Sequence, residues 1–498
     1  MILMNGVYEI KQRKLLDENS YQHTTTDELG RGGQGIVYRT IDDGFAVKLI
    51  LENGNELTDP IKIKQKINEI KNIQLLPVQQ INIALPLVSL QDQAGYVMSL
   101  MADMQPFAKF IYQEQSQQDI LKIQKLDWID TQWPEMLKNE LAFFSHSGGH
   151  KRRLMALYRC ALILNQLHGR GLVYGDINPN NEFISASEDY DEVWLIDADN
   201  IRFDLVSNKN PIFFPEYGAP ELVTDQTANS IYSDRYSFAI LAHMMLALHH
   251  PFKGKAFYED GEDDDWNNDG DELTSQQKID RGLLSWIYDT QDLSNSYENS
   301  LAALIKEDNF LFPLFQKCFS IGRKDIHQRP TLQHWAIALI RSHDQLLTCP
   351  VCKFAFSPIE NLTCPDCKEK KPDYFQLDSY SIHQDDQTKK MVWSAYLEIK
   401  NQNHIVIPQR VLGQVSSIQG AKALFSIYLS EQTVLIQQES DDYQISYINH
   451  HNKMNLTKMN YRLELSTENM NEAHYFLIEP NNQCDSSCVL KIVKNGCI

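Results

Sequence analysis

Val173-Tyr-Gly-Asp176-Ile-Asn178-Pro-Asn-Asn181, followed by Leu195-Ile-Asp197-Ala-Asp199, sets an aspartate and an asparagine five residues apart on one loop. A second aspartate comes sixteen residues after Asn181, at the end of an apolar run. A phosphoryl-transfer site needs that layout: one carboxylate for the acceptor hydroxyl, and an amide oxygen with another carboxylate for Mg²⁺. An ordinary loop closed by an Asp-capped turn gives G-D-x-x-x-x-N as well, and the upstream sequence separates the two.

Upstream, Gly30-Arg-Gly32-Gly-Gln-Gly35-Ile-Val37 fits G-x-G-x-x-G-x-V, a loop whose backbone can approach phosphates. Ile36, Val37 and Tyr38 after it favour strand, whereas a dinucleotide-binding fold would open a helix there. Phe45-Ala46-Val-Lys48 then reads as a strand with one lysine, placed to reach the α- and β-phosphates. A solvated strand lysine is the alternative. Ile63, Ile67, Ile70 and Ile73 recur at helical spacing, with Glu69 on the flank where it could hold Lys48. A solvated helix glutamate is the plainer alternative, and Glu56 lies before the pattern.

With these elements the chain resembles the eukaryotic-type (Hanks-type) protein kinases, in particular a divergent bacterial branch carrying Y-G-D-I-x-P-N-N and I-D-A-D. The resemblance runs from about Glu28 to Trp335 and includes Tyr217-Gly-Ala219-Pro220-Glu221, Ser233-Asp234-Arg-Tyr-Ser237 and Gln328-Arg329-Pro330-Thr331. It implies an α+β bilobal protein-kinase fold, with an N-lobe over residues 1–103 and a C-lobe over 104–345. It further implies Asp176 as the catalytic aspartate, Asn181 and Asp197 as Mg²⁺ (or Mn²⁺) ligands, and a structural Glu221–Arg329 pair. Gly30, Gly32, Gly35, Val37, Ala46, Lys48, Glu69, Met98 and Met101 would form the ATP site, with Met98 behind the adenine and Met101 on the hinge. Some members of the branch are encoded beside a metal-dependent phosphatase and a von Willebrand-type protein, which implies those partners by analogy alone.

The chain departs from the family pattern at several positions. Gly175 stands where the arginine that holds a phosphorylated activation loop is expected, Asn178 where a lysine is expected, Phe214 where a threonine is expected, and Ala198-Asp199 where Phe-Gly is expected. The segment from Asp197 to Glu221 holds Ser207 as its sole Ser or Thr. These losses imply a kinase without the usual phosphate-gated switch, in which the Asn178 amide would compensate for the missing lysine near the γ-phosphate. The metal ligands, strand lysine and catalytic aspartate are all present, which favours an active enzyme, with Ser/Thr specificity carried by the resemblance. A nucleotide-binding pseudokinase scaffold is the competing reading. A small-molecule phosphotransferase is a third, disfavoured by A-P-E and R-P-T. The helix before the catalytic loop carries Leu154, Leu157, Ala161 and Leu164 and ends at His168.

Cys349-Pro-Val-Cys352 and Cys364-Pro-Asp-Cys367 form C-x₂-C pairs eleven residues apart, the spacing of a closed Zn²⁺ tetrathiolate. Two disulfides are the alternative; the absence of a signal pattern at Met1-Ile-Leu-Met-Asn-Gly6 argues against an oxidising compartment. A zinc ribbon is therefore expected over 346–373. From 374 to 498 the pattern turns to period two, with seven short strands at 392–399, 424–429, 433–437, 443–448, 461–465, 474–478 and 488–492. That predicts an all-β, sandwich-like recognition domain. Arg410 in it is the sort of residue a phosphopeptide site needs.

The net charge of −20, from 66 acidic and 46 basic residues, disfavours nucleic-acid binding. Nine acidic residues fall in 259–272, within an insert at 257–275 of the C-lobe. Asp265-x-Asn267-x-Asp269-Gly270 resembles half a calcium loop, but Glu272 and Gln276 break the rest, and a solvated insert or a docking site for a basic substrate fits better. The longest apolar helix, 236–248, is too short to span a bilayer. A soluble, cytoplasmic protein acting on a protein substrate is the expectation.

Overall fold

The computed structural model describes residues 12–33, 35–42, 44–112, 135–187, 190–204, 211–224, 227–259, 273–298, 301–359, 361–382, 389–399, 404–413, 422–430, 433–449, 452–456, 462–466, 472–481 and 487–495. Most of the acidic insert, Gln34, Ser207, Cys484, Cys497, His450 and His451 lie outside them.

An antiparallel sheet comes first, in the order β1 (Lys14–Leu16), β2 (Gln22–Arg31), β3 (Gly35–Thr40), β4 (Phe45–Glu52), β7 (Gly95–Ser99), β6 (Val88–Ser89), with β5 (Asn55–Glu56) on β4. Its core is Leu15, Ile36, Val47, Leu49, Leu51, Leu90 and Val97. Helix α1 (Pro60–Gln74) lies against it. Asp59 caps α1 by accepting from Ile61 N at 2.8 Å, and Pro60 opens the first turn, where its missing N–H costs nothing.

Four more helices of ten residues or longer follow among the described residues: α2 (Glu135–His146), α3 (Gly149–His168), α4 (Ile231–Ala247) and α5 (Leu332–Asp344). Helix α4 is apolar on nearly every face and is buried accordingly. Short pairs carry the loops of the site: β8 (Met104–Pro106) with β10 (Glu182–Ser185), β10 with β11 (Val193–Leu195), and β9 (Leu172–Val173) with β12 (Arg202–Phe203). None of the described helices is long and apolar enough to cross a membrane.

After α5 comes a hairpin of β13 (Leu347–Thr348) and β14 (Ala355–Phe356) that carries the first cysteine pair. The rest of the chain forms two sheets. One has six strands, in the order β16 (Lys389–Glu398), β15 (Tyr374–Ile382), β24 (Cys488–Asn495), β23 (His474–Pro480), β20 (Tyr443–Asn449), β21 (Asn452–Asn455). The other has four: β17 (His404–Pro408), β18 (Ala423–Leu429), β19 (Thr433–Gln438), β22 (Arg462–Ser466). Phe425 of the four-stranded sheet meets Phe476 of the six-stranded one at 5.5 Å between ring centres, so the sheets face each other across a core. Among the described residues there are ten strands rather than seven; β15, β17 and β21 are the additions.

The sandwich is packed onto the second lobe rather than tethered to it. Buried residues from α3, α4 and α5 run without a break into Phe375, Leu377 and Trp393. Arg341 lies between the rings of Phe310 and Trp393, at 5.6 and 4.9 Å, and donates to Val392 O at 2.8 Å. Asp344 accepts from Arg410 Nε and Nη2 at 3.0 and 2.9 Å and from Trp393 Nε1 at 3.0 Å. This corrects the expectation for Arg410: its guanidinium is spent on Asp344 and is not available to a phosphopeptide.

Candidate active site

The hairpin of β10 and β11 builds one end of the site. Glu182 pairs with Leu195, so Asn181 and Asp197 leave the hairpin on the same side, with Ile196 N bonded to Asn181 O at 3.0 Å. Asp197 adopts a left-handed backbone (φ 54°), uncommon for a residue with a side chain, and starts a short 3₁₀ turn, Ala198–Asn200.

Asp176 is held by three amides. Asn181 Nδ2 donates to its Oδ2 at 3.0 Å, Asn200 Nδ2 to the same oxygen at 3.2 Å, and Asn178 Nδ2 to Oδ1 at 3.2 Å. Burial and the nearby Asp197 charge push the Asp176 carboxyl above the ordinary aspartate value, against the amide bonds of Asn181 and Asn178. Asn181 uses its amide nitrogen on Asp176 and so keeps its oxygen as the atom for a cation.

The loop's backbone is fixed from beneath by Asp234, buried at the start of α4. It accepts from Tyr174 N at 2.8 Å and Gly175 N at 3.0 Å, and His168 at the end of α3 pairs with it at 3.1 Å. Tyr174 is fully buried, and its hydroxyl donates to Ile196 O at 2.5 Å, tying the loop to the residue before Asp197.

Lys48 stands on β4 opposite Val37 of β3 and Tyr96 of β7. A Cβ on Gly35 would sit 2.8 Å from its Cε and 3.2 Å from Leu49 O, so a side chain there would push the lysine aside. Lys48 Nζ lies 2.7 Å from Asp199 Oδ2 and 3.0 Å from Asp197 Oδ1. Burial pulls this ammonium down, but the Asp199 and Asp197 carboxylates outweigh it and hold it well above the ordinary lysine value. Gly32 N bonds Gly35 O at 2.8 Å and closes the glycine-rich turn, with open space over Gly30 and Gly32. Ala46 is fully buried opposite Met98, which is half-buried, as is Met101 in the segment joining the lobes.

Two expected residues are placed differently. Glu69 is 60% exposed and pairs with Lys66 at 2.8 Å, so it does not hold Lys48. The isoleucine stripe faces the sheet, and the flank that carries Glu69 faces water. Asn178 is buried, its nitrogen on Asp176 and its oxygen accepting Asn180 N at 3.0 Å, so it offers no free donor to a γ-phosphate. Sequence reasoning had assigned no role to Asp199 or Asn200. The doubled acid of Asp197-Ala-Asp199 and the asparagine after it were the available signals.

Farther along, Arg329 Nη1 and Nη2 bond Glu221 at 2.7 and 2.8 Å. The four thiols of Cys349, Cys352, Cys364 and Cys367 lie within 4.8 Å of one another. Cys349–Cys367 and Cys352–Cys364 are each 3.5 Å apart, near the ~3.8 Å edge that ~2.3 Å Zn–S bonds would give a tetrahedron. The two knuckles are alike: Lys353 N bonds Cys349 O and Lys368 N bonds Cys364 O, both at 3.1 Å, and both lysines are left-handed.

The comparisons with known proteins point the same way. The family model of the protein kinase domain matches residues 23–335. Over 110 residues, 21% of the chain, the sequence is 32% identical to Serine/threonine-protein kinase pkn2 of Myxococcus xanthus, a stretch that covers 13% of that protein.

Proposed function

The chain belongs to the protein kinase domain family, and from that premise we propose that it transfers the γ-phosphate of ATP to a protein hydroxyl, with Ser/Thr specificity and dependence on Mg²⁺ or Mn²⁺. One observation carries the reading: Asp176, Asn181, Asp197 and Lys48 converge at one cleft, with the carboxylate of Asp176 fixed by three amides. Asn181 and Asp197 supply the oxygen donors that a hard divalent ion prefers. The bound metal would neutralise phosphate charge. The glycine-rich turn and Lys48 would orient the phosphates, and Asp176 would accept the proton of the acceptor hydroxyl. Cys349, Cys352, Cys364 and Cys367 would hold a structural Zn²⁺, with no ligand position left for chemistry.

The same reading includes an activation segment whose described parts, 197–204 and 211–221, are tied to the catalytic loop without a phosphate. Asn229, buried, donates to Gly175 O at 2.9 Å and Ile212 O at 2.5 Å, and accepts from Ile212 N at 2.8 Å and from Arg202. Gly175 has φ 84°, and a Cβ there would lie 3.7 Å from both Arg202 Nη2 and Asn229 Cγ. On this reading the contacts of Asn229 and Arg202 stand in for the arginine–phosphate contact of other family members. The von Willebrand-type and phosphatase partners stand on the sequence resemblance alone.

The test is purified full chain with γ-labelled ATP, Mg²⁺ or Mn²⁺ and a generic basic protein substrate. Label transfer that disappears in Asp197→Ala and survives both phosphatase pretreatment and Ser207→Ala is expected. Nucleotide binding with no transfer under either metal would support the pseudokinase scaffold instead.

A further inference from the structure

We propose that Asp199, and no residue of α1, is the counter-ion that positions Lys48 on the nucleotide phosphates; the inference rests on the kinase reading above. Glu69 is the one acidic residue of α1 and is committed to Lys66 in water. The neighbouring glutamates are spent as well: Glu18 on Lys71, Glu52 on Lys62 and Glu56 on Arg13. Two carboxylates are left at Lys48. Asp199 is the nearer, at 2.7 Å, and its carboxylate also interacts with the buried Tyr96 hydroxyl. The Tyr96 ring centre lies 5.9 Å from Lys48 Nζ.

The two aspartates divide their work by position. Asp197 faces Asn181 and the metal side, so it must release Lys48 when a cation takes its oxygens. Asp199 sits two residues on, within the 3₁₀ segment and less exposed than Asp197, and can keep its hold. Without Asp199, Lys48 would fall wholly onto Asp197 and compete with the metal. The ammonium is therefore positioned by the loop that carries the metal ligand, and the attitude of α1 does not enter. Asp199 acts through Lys48, so it is a positioning residue.

Equilibrium binding of Mg²⁺ with a non-hydrolysable ATP analogue to the full chain reads this out without turnover. Asp199→Asn should raise the half-saturating Mg²⁺ concentration about tenfold, the worth of one charge-assisted hydrogen bond. Asp199→Glu should recover part of it, and Glu69→Gln should stay within about twofold of wild type. In a Lys48→Met background, Asp199→Asn should add little, because the two act as one unit. Unchanged circular dichroism keeps a folding defect from imitating the result. Asp199→Asn equal to wild type, an equal loss in Glu69→Gln, or full additivity with Lys48→Met overturns the assignment while leaving the kinase reading intact. A wild-type protein that binds no nucleotide overturns both.

Discussion

Helix α5 has a buried arginine–carboxylate pair at each end, and the two do different jobs. Before its first turn, Arg329 joins Glu221 and stays inside the kinase C-lobe. At its last residue, Asp344 joins Arg410 and fastens the β-sandwich to that lobe. The Arg329 side chain is fully enclosed, and that of Arg410 is 13% exposed. The pairs differ in what remains when the acid is lost. Arg329 also donates to Gly322 O at 2.8 Å and Tyr232 O at 3.0 Å, so it keeps two acceptors. The described contacts give Arg410 no second acceptor, while Asp344 also serves Trp393 and His343. The C-lobe pair is therefore buffered, and the inter-module pair is not.

The largest effect should accordingly come from Asp344→Ala. Leaving a guanidinium buried and unpaired costs about 3–5 kcal/mol, and denaturant unfolding followed by tryptophan emission, to which Trp393 contributes, should register it. A loss under about 1 kcal/mol would mean the sandwich is held by its apolar contacts alone. Acid should spare the Asp344 carboxylate itself. Burial would raise the Asp344 carboxyl, but Arg410 and His343 outweigh it and hold it well below the ordinary value. A depressed acid contributes stability above its unfolded value, about 3.9, and loses it only as pH falls on toward the folded value. Asp344 should thus stay charged at pH 4–5, and acid should act instead through His343, which burial holds below the ordinary histidine value, so that its contribution is lost as pH falls below about 6.5.

Next comes Glu221→Ala, expected to cost about 2–3 kcal/mol, since Arg329 keeps its carbonyls. Equal losses in the two alanine variants would erase the contrast between buffered and unbuffered pairs. A chelator, or Cys352→Ser, should act more locally. Hydrogen exchange should quicken over residues 347–371 while α4 stays protected, because a metal held by the four thiols would contribute folding energy to that segment. Global unfolding on chelation would instead make the ribbon part of the lobe's own core.

The same contrast marks what could be read from the chain itself. Glu221 and Arg329 are 108 residues apart and Asp344 and Arg410 only 66, yet the farther pair was the legible one. Each of its members sits in a short motif whose partner is implied by the other motif. Arg410 sits in no motif, and a lone arginine among hydrophobic residues looks as much like a ligand site as a strut. In the cleft, Lys48, Asp176, Asn181 and Asp197 were nameable because spacing along a loop or strand is local information. The partner of Lys48 was not, because Glu69 and Asp199 compete through tertiary geometry, and one turn of helix decides which acid faces inward. Strand β15 was missed for a related reason. It lies between β16 and β24 and is buried on both faces, so it lacks the period-two alternation that marks a half-exposed strand. Strand β21 is a short polar edge, which carries no apolar pattern.

The smallest effect belongs to a point where three modules meet. Lys151 of α3 donates to Glu398 of β16 at 2.9 Å and to Leu346 O at 3.0 Å, while Glu398 also accepts Thr348 N of β13 at 2.6 Å. Burial alone would raise the Glu398 carboxyl, but Lys151 and the Thr348 bond bring it below the ordinary glutamate value. Lys151→Met keeps the aliphatic stem and removes one charge, yet Glu398 retains its backbone donor. The expected loss is therefore only about 1 kcal/mol. The informative variant is the double one with Asp344→Ala. If lobe, ribbon and sandwich form one cooperative unit, the two losses add, because the sites share no partner. If Asp344→Ala already frees the sandwich, Glu398 leaves with it and Lys151→Met costs nothing further. Denaturant midpoints of the four proteins in that cycle distinguish a single folded body from two that are merely clasped.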